Sequence, residues 1–87
     1  MQPQRILIIE DEPSVAENLV YALRTEGFEP VWRETGKEGL KSIKERPPGL
    51  VILDIGLPDA NGFDICASIR GSSEIPVLIL TARSDEV

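Results

Sequence analysis

The sequence predicts an α/β domain built on a parallel sheet, and three observations carry that expectation. Ile6-Leu7-Ile8-Ile9, Leu50-Val51-Ile52-Leu53 and Val77-Leu78-Ile79-Leu80 are short, continuous runs of branched apolar residues. Such runs suit strands buried on both faces of a parallel sheet. Segments of helical period separate them, so the order β-α-β-α-β-α-β with right-handed crossovers follows. Each run also ends on a reactive polar residue: Glu10-Asp11 after the first, Asp54 after the second, Thr81 after the third. Open sheets of this kind bind ligands beyond the carboxyl ends of their strands, so one rim of the sheet gathers the candidate chemistry.

After the first strand, Glu12-Pro13-Ser14 precede a helical pattern in which Val15, Leu19, Val20, Ala22 and Leu23 recur at spacings of three and four, with Gly27 as the stop. Glu29 to Arg33 alternates polar and apolar, with Val31 inward and Pro30 near the start, which suits an edge strand. Thr35 and Glu38 have the spacing of a capping box at the start of a second helix. Leu40 and Ile43 give that helix a narrow apolar stripe, and Pro47-Pro48 end it. Turn residues fill the stretch from Ile55 to Gly62 after the central strand. Phe63, Ile65, Cys66 and Ile69 mark a third helix that Gly71 is expected to close, and Pro76 opens the last strand. Ala82 to Val87 is polar and reads as the start of another helix.

Composition narrows the function. Eighty-seven residues allow one small domain with a thin core. A formal net charge of -6 argues against a basic nucleic-acid surface in these residues. With one cysteine, Cys66, and no histidine, disulfides, thiolate or imidazole metal clusters and Ser-His-Asp catalysis are excluded within this chain. The apolar runs are far too short to span a membrane and no leader peptide is visible, so a cytoplasmic location is the default expectation.

Crowded carboxylates repel and raise one another's pKa, and a shared cation relieves that cost. An all-oxygen donor set suits a hard ion such as Mg²⁺, which takes one or two carboxylates and keeps several waters. Asp11 and Asp54 would come from adjacent strand ends with Glu10 close by. Acids after strands also cap helices and solvate loops, and for Glu12 that role is at least as well motivated as a metal role.

Taken together, Ile8-Ile9-Glu10-Asp11-Glu12, Asp54-Ile55-Gly56-Leu57-Pro58 with Asn61-Gly62, and Leu80-Thr81-Ala82-Arg83 resemble the receiver domain of bacterial two-component response regulators. The last run looks most like the branch that carries a winged-helix DNA-binding domain after the receiver. The resemblance implies a flavodoxin-like fold with strand order 2-1-3-4 and Asp54 as phosphoacceptor for a sensor histidine kinase. It further implies Mg²⁺ held by Asp11 and Asp54, by Glu10 through water, and by the backbone carbonyl of Gly56. Thr81 would turn its hydroxyl to the phosphoryl group, and the small Ala82 would leave room for it. Such a domain accepts a phosphoryl group without being a turnover enzyme.

The family also has a fifth strand ending in a lysine. None is expected within residues 1–87, so the sequence reads as a partial receiver truncated before that strand, without the last helices and with a defective switch. Lys37, Lys41 and Lys44 belong to the second helix and are poor substitutes. Val77–Leu80 would then be an exposed apolar edge, which invites self-association. DNA would be bound only through a C-terminal domain that lies outside this chain. Two other functions compete: a receiver-like interaction or dimerisation module working without phosphorylation, and a metal-dependent phosphatase using Asp54 as nucleophile. The second lacks an acid placed soon after Asp54, since Asp59 lies beyond Gly56-Leu57-Pro58.

Overall fold

The computed structural model describes residues 3–80. Seven elements alternate along the chain: β1 (Arg5–Ile9), α1 (Pro13–Thr25), β2 (Glu29–Arg33), α2 (Gly36–Glu45), β3 (Leu50–Asp54), α3 (Gly62–Ser72) and β4 (Val77–Leu80). The four strands form one parallel sheet of order β2-β1-β3-β4. This is the expected order, and β1 and β3 occupy its centre. In register, Ile9 lies beside Leu53 and Asp54 beside Leu80, so the strand ends fall at one level.

Alternation along β1 divides the core between the two faces of the sheet. Leu7 and Ile9 pack with Val51, Leu53, Ile43, Leu57, Ile65 and Ile69 on the face covered by α2 and α3. Ile6, Ile8 and Ile52 pack on the other, where Leu19, Val20 and Leu23 of α1 and Trp32 of β2 meet them. Both faces of the central strands are thus apolar, which is why their sequence runs without polar interruption. β2 is half-buried throughout, and Pro30, beside Ile6, sits on this edge strand as its composition suggested.

The helix ends follow local chemistry. Pro13 opens α1, where its missing N–H costs nothing. Gly27, at φ 92°, closes it: Gly27 N–H donates to Arg24 O and Phe28 N–H to Leu23 O, the two bonds of a Schellman motif. Gly71 does not end α3. It lies inside the helix, which continues to Ser72 and breaks at the extended Ser73 before Pro76. Two apolar positions also turn outward: Phe63 is 61% exposed, and Ala22 is exposed while Ala16 is buried instead. Among the described residues β4 is an edge strand, and Leu78 is 54% exposed. The segment Ala82–Val87 lies outside the described residues.

Candidate functional site

The carboxyl ends of β1 and β3 bring three acids together. One carboxylate oxygen from each of Glu10, Asp11 and Asp54 lies within 4.8 Å of the others. Glu10 is fully buried, Asp54 is 2% exposed, and Asp11 is half-buried at the mouth of the cluster. Glu12 has no place in it. Its side chain is exposed and caps nothing, while its backbone N–H donates to Glu10 Oε2 at 3.0 Å.

Glu10 is fixed from both sides. Its N–H donates to Arg33 O at 3.1 Å, and its carbonyl accepts from Trp32 Nε1 at 2.7 Å. The end of β2 therefore sets the turn that aims the two β1 acids. Trp32 was not singled out from the sequence. Its signal was a lone tryptophan at a strand end, where an indole with an apolar body and a polar N–H can serve core and rim together.

Burial is the main reason that the Glu10 carboxyl is pushed above its ordinary range. The Glu12 N–H opposes that rise, whereas the nearby carboxylates of Asp54 and Asp11 add to it. Glu10 Oε1 is buried with no hydrogen-bond partner. A buried, unpartnered oxygen among three acids is costly as it stands and becomes favourable once a cation is shared. The donor set is all oxygen, which fits a hard divalent ion such as Mg²⁺.

Asp54 Oδ1 accepts from Gly56 N–H at 3.1 Å, which folds the chain after β3 back over the acid. Gly56 is exposed, and a Cβ there would meet Asp54 Oδ1 at an ordinary 3.8 Å. The position therefore tolerates a side chain, as a backbone-carbonyl ligand would. Gly62 is different, because a Cβ there would collide with the Ile55 backbone. Thr81 and Ala82 lie outside the described residues. Asp59, read from the sequence as a turn residue and as too far along to serve as a phosphatase acid, caps α2 across the molecule through Gly36 N–H and Lys37 N–H.

Two buried acids and a half-buried third thus meet at the carboxyl ends of a parallel sheet with helices on both faces, and comparison with known proteins gives the class to which such a rim belongs here. The model of the response regulator receiver domain matches residues 6–87, and the chain belongs to that family. It is similar to the DNA-binding response regulator MtrA of Mycolicibacterium smegmatis, with 44% identity over 84 residues that cover 97% of this chain and 37% of the relative. It is also similar to the transcriptional regulatory protein CreB of Escherichia coli, with 42% identity over 88 residues covering 100% of this chain and 38% of the relative. The chain thus spans little more than a third of the curated relatives it matches. The crystal structure of the response regulator TrrA of Thermotoga maritima in complex with Mg²⁺-BeF superposes with a TM-score of 0.87 at 38% identity, covering 93% of this chain and 71% of that one. TrrA has also been solved in complex with the histidine kinase ThkA; that chain matches with a TM-score of 0.87 at 37% identity, over 94% of this chain and 72% of TrrA.

Proposed function

We infer that this chain accepts a phosphoryl group on Asp54 from a sensor histidine kinase, with Mg²⁺ held by Asp11 and Asp54, by the Gly56 carbonyl, and by Glu10 through water. The observation that carries the reading is the convergence of Glu10, Asp11 and Asp54 around a buried carboxylate oxygen with no partner. A bound Mg²⁺ would neutralise charge on the phosphoryl oxygens. An Asp54 carboxylate oxygen attacks phosphorus in line. The new O–P bond forms as the P–N bond to the phosphohistidine breaks, and the bonding pair leaves with the imidazole nitrogen. The Gly56 N–H on Oδ1 orients the carboxylate for that attack. Thr81 and Ala82 complete the reading as phosphoryl contact and phosphoryl space. Asp54 is consumed stoichiometrically, so the chain is a phosphoacceptor and not a turnover enzyme.

Support for the kinase as partner comes from the TrrA complex, and support for the ion from TrrA with Mg²⁺-BeF. The names of MtrA and CreB support a parent protein with transcriptional output through a DNA-binding segment beyond the receiver. Among the described residues no helix is long and apolar enough to cross a membrane. The test is incubation with a small-molecule phosphodonor and Mg²⁺, followed by intact-mass measurement. One added phosphoryl group, absent in Asp54→Asn and without Mg²⁺, is the expected result. An unmodified chain with a donor that phosphorylates another receiver counts against the reading.

One observation favours a second role, association with another copy of this chain. β4 has a strand neighbour on one side only among the described residues, and its Leu78 is 54% exposed. An apolar edge of this kind pairs readily with a second strand.

A further inference from the structure

The loop that follows Asp54 is tethered at its tip by a carboxylate to which the phosphoacceptor reading gives no task. Asp59 Oδ1 accepts from Gly36 N–H at 2.8 Å, and Oδ2 accepts from Lys37 N–H at 3.1 Å. These are the first two N–H groups of α2, which have no partner inside their own helix. The third, of Glu38, donates to Thr35 Oγ1 at 3.1 Å, and Gly39 N–H then closes the first helical bond onto Thr35 O at 3.0 Å. The N–H groups of Gly36, Lys37 and Glu38 are therefore all satisfied, two of them by a side chain that lies 23 and 22 positions away.

The same loop is closed at its base. Gly62 N–H donates to Ile55 O at 3.2 Å, and a side chain at Gly62 would collide with Ile55. Leu57 is buried in the core, and Ala60 packs against it. Between base and tip lies Gly56, its N–H on Asp54. Fixed at both ends, the segment from Ile55 to Gly62 has little freedom to move Gly56 away from the acids.

We propose that Asp59 is a positioning residue for the acid site: its two-oxygen clamp on the N-terminus of α2 holds the 55–62 loop so that Gly56 stays beside Asp54. The proposal rests on the reading of Asp54, Gly56 and their neighbours as a Mg²⁺-dependent phosphoacceptor site. Asp59 is exposed, so burial does not force it into place; the bonds do. The Gly36 N–H is the main reason that its carboxyl stays below the usual range. The slight loss of hydration at this exposed carboxylate opposes this, and the Lys37 N–H and charge reinforce it. Two acceptor oxygens are needed, which aspartate has and asparagine lacks.

The test compares Asp59→Ala and Asp59→Asn with Thr35→Ala in the 87-residue chain. Thr35→Ala removes a cap from the same helix without touching the loop, so it measures the effect of helix stability alone. Mg²⁺ titration well below the melting temperature should show binding weakened about tenfold in Asp59→Ala, less in Asp59→Asn, and within about twofold of the unmodified chain in Thr35→Ala. In metal-free buffer, amide exchange at Gly56 and Leu57 should accelerate in the Asp59 variants and stay unchanged in Thr35→Ala. Equal effects of Asp59→Ala and Thr35→Ala on both readouts, or unchanged exchange at Gly56 and Leu57 in the Asp59 variants, overturn the proposal. If the unmodified chain binds no Mg²⁺, the metal reading fails, and metal-free exchange still decides whether the clamp exists. If Asp59→Ala does not fold, Asp59→Asn, which keeps one of the two bonds, is the deciding variant, with the same two readouts.

Discussion

Among the described residues, Glu10 carries the sharpest electrostatic conflict. It is fully buried, one of its oxygens has no partner, and two other carboxylates face it. Its pKa in the folded chain lies above the ordinary 4.5, so the native state holds this proton to higher pH than the unfolded chain does. Between those two values the unfolded state binds fewer protons, so stability falls as pH rises through that window, and the full penalty stands above it. A cation in the cluster removes the penalty. In chelator at neutral pH, Glu10→Gln should therefore raise the melting temperature, by an amount on the order of a few degrees. Saturating Mg²⁺ should cancel or reverse that advantage by stabilising the unmodified chain more than the variant. A variant less stable than the unmodified chain in chelator would show that the buried charge is already compensated. The acid itself was legible in the sequence, because it ends an apolar run. Its anchor was not: the indole of Trp32 reaches it from 22 positions away, and nothing local marks that meeting.

At the scale of elements, the signals that could be read were those with a local cause. Gly27 stops α1 because a Schellman motif needs a residue at positive φ, and the sequence offered a glycine where the apolar pattern ended. Gly71 looked alike and is helical, since its neighbours could continue the helix and only the approach to Pro76 ends it. Phe63 and Ala22 fit the apolar period yet face outward, because the period fixes a stripe and not which members of it meet the sheet. Half of the capping box is present, Thr35 accepting from Glu38 N–H, while the rest of the cap comes from Asp59 in a distant loop. Close approach matters most at Gly62, whose missing Cβ lets α3 start against the Ile55 backbone. Gly62→Ala should cost about 1–3 kcal/mol in denaturant unfolding, the usual penalty for forcing atoms into filled space. Unfolding indistinguishable from that of the unmodified chain would mean that the loop shifts freely.

For the whole molecule, the order β2-β1-β3-β4 was legible because apolar runs, crossover handedness and the resemblance to receivers all pointed to it. That order places β1 and β3 side by side and so brings Glu10, Asp11 and Asp54 to one point from positions more than forty residues apart. It also leaves β4 at the edge of the described sheet with Leu78 facing solvent. At micromolar concentration the 87-residue chain should sediment as dimers or larger species, and Leu78→Lys should shift it to monomer. A monomer before the substitution contradicts pairing at this edge.

The central claim is that Asp54 is the residue that takes the phosphoryl group. It is tested most directly by treating the chain with a small phosphodonor and Mg²⁺, reducing any acyl phosphate with borohydride and mapping the product by peptide mass spectrometry. Reduction should convert Asp54, and no other acid, to homoserine. Homoserine at Asp11 or Asp59 instead, the 2-amino-5-hydroxypentanoic acid that reduction of a phosphorylated Glu10 would give, or no reduced acid at any position in a chain that has gained phosphate, contradicts it.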